Sequence, residues 1–339
     1  MEFDKNFLKI NLLIISDVDN EYTPAEKAKE EMYLRTLFEQ IESYGVHVVY
    51  EEVLNARELK DVLKKYDKDS FVVFNWCERF NMTDGNETEV TKVLDELGFV
   101  YTGCQTKNLA LLTNKYKWIQ MLNKKDIKVP ESYLVNKENY QHLDIDFSKK
   151  YFVKTNNLHA SSGVSFKNIV TDKDAYLIIA KKLLDNVSEE VLVQKFIEGE
   201  EFTDVVWGNM APQALPILKI NFGEKMEHNV YTYNAKFETD SYEYGNSKYT
   251  IFDKNSNPDL YQKIEEVAIR AQTILKLEDY ARFDVRYDGK NVYLIDINAN
   301  PYLNGILYSE VYISTAALGY NWGETILKIC EYAYKRSLN

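Results

Sequence analysis

Residues Ala281 to Gly305 read ARFDVRYDGKNVYLIDINANPYLNG. Two alternating apolar runs flank an Asp-Gly pair, the pattern of a β-hairpin. Arg282, Asp284, Asp296, Asn298 and Asn300 interrupt strands, and a strand exit, that otherwise look core-like. Strand side chains alternate faces, so Arg282 shares a face with Asp284, and Asp296 shares one with Asn298. The turn determines whether those two faces coincide. A two-residue Asp288-Gly289 loop pairs Tyr287 with Lys290 and puts the two aspartates on opposite faces. A three-residue loop, Tyr287-Asp288-Gly289, with Gly289 left-handed in a G1 bulge, puts them together. Both turns suit the sequence. In the second case two carboxylates and a carboxamide converge with an arginine, which suits one or two magnesium ions holding a polyphosphate. The alternative is a solvated hairpin face carrying a surface ion pair.

Working outward, the segment 258–277 (PDLYQKIEEVAIRAQTILKL) is a helix with Pro258 at its start and apolar positions at three and four spacing. The preceding residues 224–250 have no period and many tyrosines, so the stretch is either a lid or disordered, and the aromatics favour an ordered lid with Lys236 as its interior cation. In EVLVQKFIEGEEFTDVVWGN an apolar strand ends in FIEG and continues as an alternating strand. Its acids, Glu198, Glu200, Glu201 and Asp204, are expected mostly on the surface. If a nucleotide lay here, the backbone of Lys195, Phe196 and Ile197 could read an adenine edge and Glu201 could accept from ribose hydroxyls. Residues 151–170 form strand YFVK, loop TNNLHASSG and strand VSFKNIV. Such a small-residue loop exposes N–H groups that can cradle phosphate, with Lys154 as a point charge, although a plain hairpin turn fits as well. His159 in that loop lacks the partners of a metal site.

Thr113 reads as the N-cap of the helix NKYKWIQMLNKK, whose apolar face is Trp118, Ile119, Met121 and Leu122. Earlier still, strands at 10–16, 46–53 and 70–76 alternate with helices at 24–45 and 56–66, and helix 86–97 with GFVYTGC follows. This β-α-β-α-β order predicts a parallel, doubly wound first domain. Ligands of such sheets lie at strand ends, which nominates Asp17, Asp19, Glu21, Asn75, Cys77 and Glu78. The C-terminal segment from Val311 is helical, with a break near Gly319.

The length of 339 residues implies two or three domains, and 45% hydrophobic with 28% charged residues is an ordinary globular composition. A net charge of −12 opposes nucleic acid as a partner, so any anionic ligand must be held by locally placed lysines. No run approaches a membrane span, and the apolar N-terminal run reads as a first strand rather than a signal peptide. Three widely spaced cysteines argue against disulfides and zinc, and a cytoplasmic location fits.

Five phrases in order carry a resemblance: YTGCQTKNLALLTNKYKWIQMLNKKDIKVPESYLV, VKTNNLHASSGVS, VQKFIEGEEFTDVVWGN, YNAKF and ARFDV with LIDINANPYLNG. Over nearly its whole length the chain resembles the ATP-grasp carboxylate-amine ligases, in their D-alanine-D-alanine ligase-like branch. The resemblance implies an α/β and α+β architecture: a doubly wound N-terminal domain (1–112), a small central α+β domain (113–198) and a C-terminal α+β domain (199–339). It implies that Lys115 and Lys154 contact ATP phosphates and that Ala160, Ser161, Ser162 and Gly163 form the loop over them. Gln194, Lys195, Phe196 and Ile197 would line the adenine, and Glu201 would hold the ribose. Lys236 would bind phosphate from the mobile loop, and Asp284, Asp296 and Asn298 would ligate magnesium, two ions or manganese in their place. Arg282 would stabilise the transferring phosphoryl group. The implied reaction is ADP-forming ligation of an amino acid or peptide carboxylate to an amine through an acyl phosphate, and a homodimer is the family expectation.

Departures are Asp296 where many relatives have Glu, Gln194 in place of an acid, Phe237 in place of Tyr, Tyr302 in place of a glycine, and Leu307 where a serine is expected. The exit SDVDNEYTP also lacks a glycine-rich, glutamate-bearing phrase. These changes point to substrates other than two D-alanines. The alternatives are a true D-alanine-D-alanine ligase, an ATP-binding regulator, and a small-molecule kinase on the same fold.

Overall fold

The structure is a computed structural model that describes residues 2–17, 24–77, 80, 88–157, 168–223, 241–303 and 309–338. The expectations for Asp19, Glu21, Glu78, His159, the loop Ala160–Gly163, Lys236, Phe237 and Leu307 fall outside the described residues.

Strands β1 (Asn11–Asp17), β2 (Val48–Val53), β3 (Phe71–Asn75) and β4 (Val100–Tyr101) form a parallel sheet in the order β2-β1-β3-β4. The central strands β1 and β3 are near-continuous apolar runs, as strands covered on both faces require, whereas β2 at the edge carries Glu51 and Glu52. One face is covered by α2 (Ala56–Leu63) and α3 (Glu89–Leu97), through Leu59, Val62, Val90 and Leu94 against Leu13, Ile15 and Val73. The other face takes α1 (Pro24–Glu42), through Leu37 and Ile41. That face is also covered by the last helix of the chain, whose Ile326, Leu327 and Ile329 join the same cluster. The C-terminus of the chain therefore completes the first domain.

α4 (Thr106–Leu112) and α5 (Lys115–Asn123) lead to a second sheet. Thr113 ends α4, with its hydroxyl on Ala110 O. Asn114, rather than Thr113, caps α5 by accepting from Lys117 N–H at 2.9 Å, because an Asn side chain reaches the third amide of the helix from that position. The second sheet is antiparallel, β5 (Ser132–Asn136), β8 (Glu190–Lys195), β6 (Tyr151–Thr155) and β7 (Ile169–Val170) in that order, backed by α6 (Lys173–Asn186) through Tyr176, Ala180, Leu183 and Leu184.

The third sheet follows the order β12-β11-β9-β13-β14, from β9 (Glu200–Trp207), β11 (Leu218–Phe222), β12 (Ser247–Ile251), β13 (Tyr280–Tyr287) and β14 (Val292–Asn298), with β10 (Gln213–Ala214) on β9. Its antiparallel pairing places β13 between β9 and β14. The end of the aperiodic segment 224–250 has regular structure: α7 (Tyr242–Asn246) leads into β12, which pairs with β11 residue by residue. One face of the sheet, through Phe202, Val206, Phe283, Val285, Leu294 and Ile297, packs on α8 (Pro258–Leu275). The chain closes with α9 (Glu310–Ala316) and α10 (Trp322–Ser337), separated by Gly319 with φ 87°.

Candidate functional site

The hairpin resolves the question of faces by neither of the two turns that suit the sequence, but by a bulge within the strand pair. Tyr287 pairs with Val292, so the loop is the four residues Asp288–Asn291, neither the two- nor the three-residue turn. The Asp288 carboxylate accepts from Lys290 N–H (2.8 Å) and Asn291 N–H (2.7 Å), and Gly289 takes φ 91°. A loop of even length would separate the aspartates. The register, however, slips between Asp284 and Val285: Val285 pairs with Leu294 and Asp284 with Asp296, leaving Ile295 as a bulge on β14. Asp284 therefore stands directly opposite Asp296, and Arg282 opposite Asn298.

The bulge has a second consequence. The carbonyl of Ile295 accepts from Lys154 Nζ at 3.3 Å, bringing the lysine of the second sheet to the strand that carries Asp296 and Asn298. Lys115, at the start of α5, lies beside the end of the strand that carries Lys154. It is only 4% exposed, not a solvated helix charge, and its N–H donates to Asn156 O (3.1 Å), two residues beyond Lys154, while Asn156 Oδ1 accepts from Tyr116 N–H.

Asp284 Oδ1 accepts from Thr203 Oγ1 at 2.8 Å, and Oδ2 from Arg282 Nη2 at 3.2 Å. Arg282 also places Nη1 3.2 Å from Glu310 Oε1, and that oxygen accepts from the Tyr249 hydroxyl at 2.7 Å. Burial opposes the guanidinium charge, but Asp284, Glu310, Tyr249 and Asp296 outweigh it and hold the arginine well above its ordinary range. Arg282 is a permanent cation clamped between carboxylates. Asn298 Oδ1 accepts from Asn300 N–H (3.1 Å), which orients its carboxamide.

The adenine and ribose candidates lie where β8 passes into β9. Gln194 is 4% exposed and donates to Ser132 Oγ. Lys195 N–H goes to Glu131 O and Phe196 N–H to Lys150 O, both at the sheet end. Glu201, expected among surface acids, is buried and 3.2 Å from Arg286, its cross-strand neighbour. Arg286 also stacks on Phe196 at 4.8 Å and donates to Gly199 O. Glu201, Thr203, Arg282, Asp284 and Arg286 share one face of the third sheet with Asp296 and Asn298, opposite to the face that packs on α8. Asp204, also expected at the surface, points to that core face and is fully buried.

Sequence reasoning missed Thr203, Tyr249, Arg286 and Glu310. Thr203 and Arg286 follow from alternation in strands whose other members were already singled out. Tyr249 and Glu310 have no such signal, because they reach Arg282 from β12 and α9 only through the fold.

Two carboxylates face to face, a carboxamide on the same strand and no nitrogen or sulfur donor make a set suited to a hard divalent cation such as magnesium. Among the described residues no helix is long and apolar enough to cross a membrane.

The three-sheet architecture with this polar hairpin is that of an ATP-grasp protein. The structure of Bacillus anthracis D-alanine--D-alanine ligase complexed with ATP superposes with a TM-score of 0.73 at 18% identity, covering 96% of this chain and 98% of that one. In sequence the chain is 24% identical to Haemophilus influenzae D-alanine--D-alanine ligase over 299 residues, 86% of this chain and 90% of the relative. It is 25% identical to the Clostridium botulinum enzyme over 292 residues, 85% and 88% respectively. Residues 115–329 match the family model described as D-ala D-ala ligase C-terminus. The chain belongs to that family, and it is an ATP-dependent carboxylate-amine ligase of this type.

Proposed function

We propose that the protein forms an amide between an amino acid or peptide carboxylate and an amine, with ADP and phosphate as co-products, through an acyl phosphate. The observation that carries this is that Asp284, Asp296, Asn298 and Arg282 share one sheet face, with Lys154 of the second sheet reaching the carbonyl of the Ile295 bulge. A carboxylate is a poor acyl donor. It attacks the γ-phosphorus of ATP, the bond to the β–γ bridging oxygen breaks, and the amine then attacks the acyl carbon and expels phosphate. Protein groups in such chemistry position the reactants and offset developing charge. Magnesium, one ion or two, held by Asp284, Asp296 and Asn298, would neutralise phosphate oxygens. Arg282 and Lys154 supply fixed positive charge to the transferring group, with Lys115, Lys236 and the loop Ala160–Gly163 on the remaining phosphates. Glu201 and the backbone at Lys195–Ile197 would hold the nucleoside. The carboxylate substrate lies at the strand ends of the first sheet, near Asp17 and Trp76. The domains are those read at 1–112, 113–198 and 199–339, with the last helix on the first of them, and the enzyme acts in the cytoplasm as a homodimer.

Tyr302, half-exposed at the exit of β14, and the altered segment after it favour a substrate pair other than two D-alanines. The names of the relatives favour D-alanyl-D-alanine itself. Incubation with ATP, magnesium and a panel of D- and L-amino acids and dipeptides, followed by ADP release and product mass, decides between them. An amide is expected. A phosphorylated end product would make the protein a kinase, and no carboxylate-dependent ADP would leave a nucleotide-binding regulator.

A further inference from the structure

Beyond β14 the residues Asn300–Leu303 leave the third sheet and run onto the first. Asn300 Oδ1 accepts from Cys104 N–H at 2.8 Å. Gly103, just before it, has φ 85°, and a Cβ there would lie 2.2 Å from that same oxygen, so the turn after β4 is closed around this carboxamide. Two residues on, the Tyr302 ring meets Trp76, with centroids 6.4 Å apart, and Leu303 is buried among the first sheet's apolar residues. The opposite side of the turn is held from the short connection between α8 and β13. Asp279, fully buried, accepts from Gly103 N–H (2.9 Å), Asn209 Nδ2 and both Nε and Nη2 of Arg336, while Glu278 accepts from Gln105 N–H and Asn108 Nδ2. One short turn of the first domain is thus gripped by the chain entering the hairpin and by the chain leaving it.

We infer that Asn300 is a positioning residue of the ligation: it holds the strand ends of the first sheet at a fixed distance from Asp284, Asp296 and Asn298. This rests on the proposed function, in which the carboxylate lies on the first side of that distance and the γ-phosphate on the second. Attack requires the reacting atoms to approach to about 3–3.5 Å in line, and a misplacement of about 1 Å costs on the order of 100-fold. Asn300 suits the role because its backbone N–H orients Asn298 while its side chain reaches Cys104. The turn does not depend on it for folding, since Asp279 and Glu278 keep their grip without it.

The test compares Asn300→Leu, which keeps the volume and loses the acceptor, with Asn300→Asp, which keeps an acceptor oxygen. Steady-state kinetics use ATP, magnesium and whichever carboxylate of the panel supports ADP release, D-alanine first. Mn²⁺ binding is followed by electron paramagnetic resonance and melting by calorimetry. Asn300→Leu is expected to lower kcat by roughly 10- to 100-fold, with the KM for ATP and the Mn²⁺ affinity within about twofold of wild type. Asn300→Asp is expected to recover most of that loss. Should Asn300→Leu fail to fold, Gly103→Ala, which displaces the carboxamide from the other side, is expected to lower kcat with the same unchanged ATP and Mn²⁺ binding. A kcat equal to wild type in the folded variant, or a loss of ATP and Mn²⁺ affinity in step with kcat, overturns the role alone. A wild-type protein that releases no ADP with any carboxylate overturns the function and this role with it.

Discussion

Asp204 is the sharpest test of how the third sheet is built. It lies on β9 between Phe202 and Val206, on the face that packs against α8, it is fully buried, and among the described residues neither carboxyl oxygen has a hydrogen-bond partner. Burial, reinforced by Glu265 on α8, pushes its carboxyl well above the ordinary range. An unsatisfied buried polar group costs about 1–3 kcal/mol by mutational measures. Asp204→Val removes that cost and adds apolar contact between Phe202 and Val206, so a net gain of about 2 kcal/mol near pH 7 is expected, read as a rise of a few degrees in Tm.

The gain depends on pH with a defined sign. An acid whose folded pKa is raised binds more protons in the native state than in the unfolded chain. Wild-type stability therefore falls as pH rises from the ordinary aspartate range, about 3.9, towards the folded value. The advantage of Asp204→Val must accordingly be larger at pH 8 than at pH 5. Asp204→Asn, which cannot ionise but still buries unpaired polar atoms, should flatten the pH dependence with less overall gain. Urea titrations of the three proteins across that range measure this. Because Thr203 and Glu201 occupy the opposite face of β9, ligase turnover should be retained. A valine variant less stable than wild type at pH 7, or an advantage that does not grow with pH, would show that the carboxyl is satisfied and refute the reasoning.

Arg282→Ala should reduce turnover by about 10²–10³-fold, the usual cost of losing a donor aimed at transition-state charge, while calorimetric ATP affinity changes by only a few-fold; unchanged turnover would remove the arginine from the mechanism. Asp296→Asn keeps the shape of the hairpin and removes one of two facing carboxylates, so the magnesium concentration for half-maximal rate should rise at least about tenfold, matching the usual weight of a charged ligand. Mn²⁺ titration provides the direct check, and an unshifted affinity would place the metal elsewhere. Arg336→Met leaves Asp279 buried with its countercharge gone, and breaking such a pair costs about 3–5 kcal/mol. Denaturant titration should show it, and a loss under about 1 kcal/mol would mean that the pair is solvent-screened.

Much of the architecture was legible because its signals are local. Apolar runs bounded by helix periods specify the parallel sheet, and Pro258 with three-four spacing specifies α8. Alternation specifies which residues of β13 and β14 travel together. What could not be read was how the two sets meet, because a single inserted residue at Ile295 carries no glycine or proline to announce it. Buried charges were misjudged for a related reason. Glu201 and Asp204 are adjacent in type and nearly in sequence, and alternation puts them on opposite faces, yet only the tertiary partners separate them: Arg286 meets the first, whereas the second faces α8. Likewise the last helix reads as a generic amphipathic segment, and nothing local says that it covers the first sheet. Glu310 escapes a sequence reading for the same reason, since its meaning lies in Arg282, 28 positions away.

The charge on the site face bears on how an acidic protein can handle a polyphosphate. Arg286 is already opposed by Glu201, and Arg282 by both Asp284 and Glu310. Asp296 adds a further carboxylate opposite Asp284, and Lys154 reaches the hairpin at the Ile295 carbonyl. Among the described residues of this face the carboxylates Glu201, Asp284, Asp296 and Glu310 offset the guanidinium groups of Arg282 and Arg286, so the arginines orient more than they attract. A divalent cation held by Asp284 and Asp296 would make this face attractive to phosphate, because its charge would be the largest in the site. Under the proposed function, then, the acidic hairpin is an asset: its carboxylates gather the metal that the phosphates require, and the clamped Arg282 is left to act where charge develops in the transition state.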